Sequence, residues 1–241
     1  MRTVAVTVAA LLVGTAAIAG EIEIHEDFES GFEGQNVVAD QPFDTENGFK
    51  VYGWSRKQQK PGQDRPLTLF QSNCGPDFPG KTCTGEDPDL ATGPSFGTEP
   101  EGLVLIISED GDFSDPDDDT SGGYIVFDFN KTVKSLTLVG VLDTLDNKPP
   151  IFYLNNTKIA ADFTLENPGN PNSPDNDLRT FHIDSGPFDG IDRLSIRLAG
   201  SGAITGVKYT IETTTVAEPA MIGLLGLGLV GLGVAARRRQ R

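Results

Sequence analysis

Apolar residues in this chain fall into short runs, and turn-forming Gly, Pro, Asn and Asp stand between them. No stretch between residues 20 and 216 sustains an apolar period of 3.6 with capping residues at its ends, which excludes helices as the main element. The runs alternate instead. Ile125, Phe127 and Phe129 share one face of a strand over 124–129. Over 191–198, Leu194, Ile196 and Leu198 point one way and Arg193, Ser195 and Arg197 the other. Val207, Tyr209 and Ile211 share a face over 203–211. Residues 135–142 set Leu136 and Leu138 on one side and Val139 and Val141 on the other, and 103–107 is apolar throughout. Strands apolar on both sides belong inside packed sheets. Weaker strands are expected at 22–28, 49–55, 67–71, 151–154, 158–163 and 178–183. With 28 Gly and 16 Pro supplying turns, the pattern predicts an all-β fold, an antiparallel β-sandwich of jelly-roll type over residues 20–211.

The two ends read differently. Residues 1–19 open on Arg2, continue through an apolar segment and close on Ala17-Ile18-Ala19, the pattern of a secretory signal peptide. Residues 220–236 form an apolar run of 17, flanked by Glu218-Pro219 and by Arg237, Arg238, Arg239 and Arg241. At 1.5 Å per residue such a helix reaches about 25 Å, marginal for a ~30 Å hydrocarbon core. The basic tail, 237–241, should stay cytoplasmic, which makes the precursor a single-pass inner-membrane protein with an exported body. Residues 212–219 are the linker.

Val216-Ala217-Glu218-Pro219, the apolar helix and the Arg cluster together resemble the PEP-CTERM sorting signal, whose core is Val-Pro-Glu-Pro. Ala217 departs from that core and the Glu-Pro pair is kept. The resemblance implies an exosortase-type protease acting near the motif, a Gram-negative biofilm-forming host, and a mature protein at the cell surface or outside it. The alternative is a plain C-terminal anchor.

The chain holds 19 Lys+Arg against 35 Asp+Glu, a formal charge of −16. Without Arg2, Glu218 and the C-terminal arginines the body carries about −20, with 14 basic and 34 acidic residues. Such a polyanion excludes nucleic acid as a partner. Two long irregular segments, 71–101 and 166–177, interrupt the strands. Loops of that length in compact domains are functional or disordered. Cys74 and Cys83, nine apart in the first, are the only cysteines. In an exported protein an isolated pair points to a disulfide, with free thiols as the alternative.

Seven acids crowd the segment between two apolar strands: Glu109, Asp110, Asp112, Asp115, Asp117, Asp118 and Asp119. Crowded carboxylates repel, and a hard cation with six to eight oxygen ligands relieves that repulsion. Calcium is the expected ion, with Asp87, Asp89 and Asp143 as further ligands. The loop is not an EF-hand: counting from Asp110, position six is Asp115 instead of Gly and position twelve is Ser121 instead of Glu. A solvated acidic loop that only adds solubility is the alternative. Residues 103–143 also resemble a recurring body domain of PEP-CTERM proteins. The matching elements are 106–110, 114–118, Gly122-Gly123, Phe127-Asp128-Phe129 and Asp143, with 67–72 and Asp87-Pro88-Asp89-Leu90 upstream. Gln71 departs from that domain's Asp. The resemblance implies a fold and an export route and brings no activity.

Two patterns suggest catalysis. Gly93-Pro94-Ser95-Phe96-Gly97 matches G-x-S-x-G, but it lies in a Pro-rich loop, and His25 and His182 are the only imidazoles. Glu21 and Glu23 share a strand face, as paired glycosidase carboxylates would, yet they stand beside the expected cleavage site. The expectation is therefore a non-enzymatic surface or matrix protein, calcium-stabilised and in contact with extracellular polysaccharide by fold analogy; Tyr52, Trp54, Phe113 and Tyr124 are candidate stacking residues, with core packing the favoured reading for most of them. A jelly-roll glycoside hydrolase and a passive structural spacer are the alternatives.

Overall fold

The structure is a computed structural model that describes residues 18–29, 49–57, 67–84, 88–112, 114–143, 149–165, 176–183, 186 and 188–215. Residues 1–17 of the expected signal peptide, the sorting motif Val216 to Pro219, the apolar run 220–236, the Arg cluster, Asp87 and Phe113 lie outside them. Among the described residues no helix is long and apolar enough to cross a membrane. The chain divides into a body, Ile22–Ile211, and a unit made of Met1–Glu21 and Glu212–Arg241.

The body is all-β, and among the described residues its helical pieces are three-residue 3-10 turns. Its strands are β1 (Ile18–Glu26, which starts before the body), β2 (Phe49–Ser55), β3 (Leu67–Gln71), β4 (Leu103–Ile107), β5 (Gly123–Leu142) and β6 (Ile151–Leu154). They continue with β7 (Thr157–Ile159), β8 (Ala161–Leu165), β9 (Leu178–Ile183), β10 (Ile191–Leu198) and β11 (Ala203–Thr215). All eleven join one antiparallel sheet, nearly closed into a barrel. The expected strands at 49–55, 67–71, 103–107, 151–154, 178–183 and 191–198 are found with those bounds. The two expected at 124–129 and 135–142 are one twenty-residue strand, β5. The single strand expected at 158–163 is two, β7 and β8, which pair with different neighbours.

β5 organises the sheet. Its first half, Gly123 to Phe129, lies between β2 and β10, and β6 and β7 follow beyond β10. Its second half, from Val133 to Leu142, pairs with β11 and, near its end, with β9. β-Bulges opposite Tyr209 and Ile211 change which residues of β5 face inward. Ile125, Phe127, Phe129 and Val133 face the main core, and then Leu136 and Val141 do. Leu194, Ile196 and Leu198 of β10 meet them there, with Val207, Tyr209 and Ile211 of β11.

A second cluster lies on the opposite face of β4. Leu105 and Ile107 enter the main core, while Val104 and Ile106 pack with Phe70, Leu142, Leu178 and Ala203. Leu90, Ala91 and Cys74 of the first long loop cover this cluster. The loop is held by the Cys74–Cys83 disulfide. Buried hydroxyls add to this: Ser72 Oγ donates to the Gly102 carbonyl at 2.9 Å, and Glu101 N donates to Thr92 Oγ1 at 2.9 Å. Replacing both cysteines by serine should cost about 2–3 kcal/mol through loop-closure entropy. The readout is a lower urea midpoint. An unchanged midpoint would mean that the packing of Leu90 and Ala91 holds the loop unaided.

Candidate binding face and acidic loop

The acidic loop has a closed foot and an exposed tip. Ser108 and Asp118 form an isolated antiparallel bridge. Asp119 N donates to Ile107 O at 2.8 Å and Glu109 N to Asp117 O at 3.2 Å. Gly122 N returns to Asp119 O at 2.7 Å. Gly122 sits at φ +63, and a Cβ there would press on the Leu198 carbonyl and Gly200 backbone, so the turn requires glycine. Along the tip, Asp112 N donates to Asp110 Oδ1 at 2.7 Å and Ser114 N to Asp112 Oδ1 at 2.9 Å. The first long loop reaches this segment where Thr84 Oγ1 donates to Pro116 O at 2.9 Å.

The seven acids thus divide by environment. Asp119 is buried and accepts from Ser55 Oγ and, at 2.8 Å, from Ser121 N, with Lys57 Nζ 3.3 Å away. Burial alone pushes its carboxyl up. The hydrogen bonds from Ser55 and Ser121 and the Lys57 ammonium outweigh burial and hold it below the usual carboxylate range. Asp118 is buried too, accepting from Ser201 Oγ at 2.7 Å and from Gly202 N. These two carboxylates tie the loop's foot to β2 and to the turn before β11. Asp117 differs: burial, then the charges of Glu109, Asp110 and Asp115, push its carboxyl up. Its Oδ1 is buried without a hydrogen-bond partner. Asp112 is exposed and lowered by hydrogen bonds from Ser114.

A further set of buried polar side chains lies beyond the second cluster. Asp143, 4% exposed, follows β5 and donates its N–H to Asp177 O at 2.9 Å. Asp177, 6% exposed, pairs with Arg179 at 2.5 Å. Asn176 Nδ2 donates to Pro88 O at 2.7 Å and Ala91 O at 2.9 Å, which brings the 3-10 turn Pro88–Leu90, and so Asp89, to the same region. The sequence pointed to Asp89 and Asp143 here but missed Asn176, Asp177 and Arg179. The latter lie in or beside a Pro/Asn-rich loop, and the one available signal was an Asp-x-Arg at a strand start. Among the described residues, no three His, Cys, Asp or Glu side chains converge as metal ligands.

The outward face of β2, β5 and β10 carries a third feature. Inward residues of β2 and β5 are Phe49, Val51, Ile125 and Phe127, so Tyr52, Trp54, Tyr124 and Asp128 point outward. Trp54 stands opposite Tyr124 in register. Their rings are near-parallel at 5.0 Å, and Tyr52 continues the row 6.3 Å from Trp54. All three rings are half-buried. Beside them Arg193 grips Asp128 with both guanidinium branches, Nε to Oδ1 at 2.5 Å and Nη2 to Oδ2 at 3.1 Å. Burial, then Asp128, push the Tyr52 phenol up. Tyr124 in turn stands opposite Arg197 of β10.

The residues with catalytic patterns are placed apart from this face. Ser95 gives its N–H to Asp77 Oδ2 at 2.7 Å and its hydroxyl to Oδ1, tying together the 3-10 turns Gly75–Asp77 and Pro94–Phe96. That segment is loop, with neither the strand nor the helix of a nucleophile elbow. Glu21 and Glu23 are exposed on β1, and Glu23 pairs with Lys208 at 2.9 Å. No protein-family model, curated protein or solved structure matches the chain.

The depressed Asp119 carboxyl gives a pH signature. Its contribution to stability is complete above the ordinary carboxylate value near 4 and is lost as pH falls through the lower folded value. Asp119→Asn should cost about 1–3 kcal/mol at neutral pH. It should also flatten the acid limb of stability measured by urea melts from pH 7 to pH 3. An acid limb as steep as the wild type's would remove Asp119 as its source.

Proposed function

We propose that this chain is an exported, non-enzymatic surface or matrix protein of PEP-CTERM type, sorted by an exosortase and contacting extracellular polysaccharide through its body. The carrying observation is the Tyr52–Trp54–Tyr124 row on the outward face of the sheet. Aromatic rings with polar groups at their edges suit a ligand with apolar C–H faces and hydroxyl rims, which is the chemistry of a pyranose. Within the nearly closed antiparallel sheet we assign a jelly-roll-like arrangement; its support is one long strand serving two groups of neighbours. Trp54→Ala should weaken retention on host exopolysaccharide roughly three- to tenfold in affinity electrophoresis. Equal mobility with and without polysaccharide for the wild-type protein would leave only the spacer role.

The second part of the proposal is calcium. Its support is the crowding of Glu109, Asp110, Asp115 and Asp117 and the partnerless Asp117 oxygen. The hydrogen bond from Thr84 to Pro116 adds to it by holding the first long loop against the same segment. An ion at a hundred times its Kd would add roughly 2.7 kcal/mol. For a body this size that is a rise of about 5–10 °C in Tm. Melts in millimolar calcium and in chelator should differ by that amount. The Asp110/Asp115/Asp117→Asn variant, which leaves the foot carboxylates alone, should show no difference. Coincident melts of the wild-type protein would rule the ion out as a stabiliser.

A further inference from the structure

We infer that the aromatic face selects an acidic polysaccharide, a chain bearing uronate carboxylates, with Arg197 as the residue that reads the acid. This rests on the polysaccharide reading and adds the charge of the ligand to it. The protein as a whole is strongly acidic, at −16. This face is not. Register places Lys50 of β2, Arg193 and Arg197 of β10 and Lys158 of β7 on it, against one carboxylate among the described strand residues, that of Asp128. Arg193 already neutralises Asp128 through a two-pronged contact. Among the described residues Lys50, Lys158 and Arg197 make no ion pair. The face therefore presents uncompensated positive charge, in a chain where acids outnumber bases nearly two to one.

Position makes Arg197 the reader. It is directly across β5 from Trp54, since Trp54 pairs with Tyr124 and Tyr124 with Arg197. Two strand spacings separate them, about 10 Å. A sugar ring held against the Trp54–Tyr124 pair would set a carboxylate of its own or of the next residue within reach of the guanidinium. That planar fork matches a carboxylate in two hydrogen bonds, which Lys50 and Lys158 at the margins cannot do. A neutral glucan would use the rings and leave the arginine without a partner. A simple polyanion would use the cations and leave the rings without one.

The test uses the full-length protein in mild detergent with EDTA, so that no divalent ion bridges the acidic loop to the polymer. Binding to immobilised polygalacturonate, dextran and polyglutamate is measured for the wild type, Arg197→Gln and Trp54→Ala, with a thermal melt of each. The expected result is strongest binding to polygalacturonate, falling with salt. Arg197→Gln should weaken it about tenfold, near one charge-assisted hydrogen bond, while dextran binding and the melt stay unchanged. Trp54→Ala should weaken both sugars. Equal wild-type binding to dextran and polygalacturonate, or polygalacturonate binding untouched by Arg197→Gln, would overturn the acidic preference and leave the polysaccharide reading standing. Polyglutamate binding as strong as polygalacturonate binding would reduce the face to an ion exchanger and overturn it too. Absence of binding to either sugar polymer would remove both readings together.

Discussion

The ladder of backbone hydrogen bonds along β5 is what the rest of the body depends on. The buried parts of a strand must satisfy their N–H and C=O groups, and β5 pairs with β2 and β10 over its first half and with β11 and β9 over its second. One strand therefore fixes the relative register of four others. The same strand decides where chemistry is displayed. Its outward residues at the start are Tyr124 and Asp128, the middle of the aromatic face. At its far end it delivers Asp143 to the side of Asp177. It begins where the acidic loop ends, at Gly122 and Gly123.

Carboxylates are used in two opposite ways just before that start. Asp118 and Asp119 are buried, and each is matched by hydroxyl or backbone donors, with an ammonium added at Asp119. Burial without such partners would cost several kcal/mol, so these two acids contribute structure instead of repulsion. Next to them, burial and then charges of its own sign raise the affinity of Asp117 for a proton. The contrast explains why one run of acids reads as uniform in sequence and is not uniform in space. The foot is anchored by its hydrogen bonds, and Asp117 beside it lies among like charges.

How much was legible follows from the same physics. β2, β3, β6, β9 and β10 were readable from alternation and β4 from its short unbroken apolar run, with turn residues near their ends. β5 looked like two strands because Asn130, Lys131 and Thr132 are polar and exposed, yet one extended strand runs through them, with the register to β10 shifting there. The reverse error occurred at 158–163, where Ile159, Ala161 and Phe163 alternate across a break at Ala160, and Phe163 ends up half exposed. β4 was rightly expected to be apolar on both sides. Its second cover is the loop carrying Leu90 and Ala91, and irregular backbone has no period to announce packing. Tyr52, Trp54 and Tyr124 were each visible as aromatic residues, but only cross-strand register makes them a row with Arg197.

Net charge shows the same limit of a summed quantity. A body of this acidity repels polyanions at long range, which is the ground for excluding nucleic acid. At physiological ionic strength, however, fields between exposed charges fade over about 8 Å. Carboxylates farther away than that add little to the field at a bound chain, and the nearer foot carboxylates Asp118 and Asp119 are engaged by hydrogen bonds, whereas Arg197 and Lys50 act at contact. Short-range chemistry on one sheet face can thus run against the sign of the whole molecule. Long-range repulsion then slows encounter more than it weakens the complex, because steering depends on the summed field and dissociation on the groups in contact. A strongly acidic surface with one cationic, aromatic face would reject polyanions that lack sugar rings and hold those that have them. In that arrangement the acidic excess contributes to selectivity and not only to solubility.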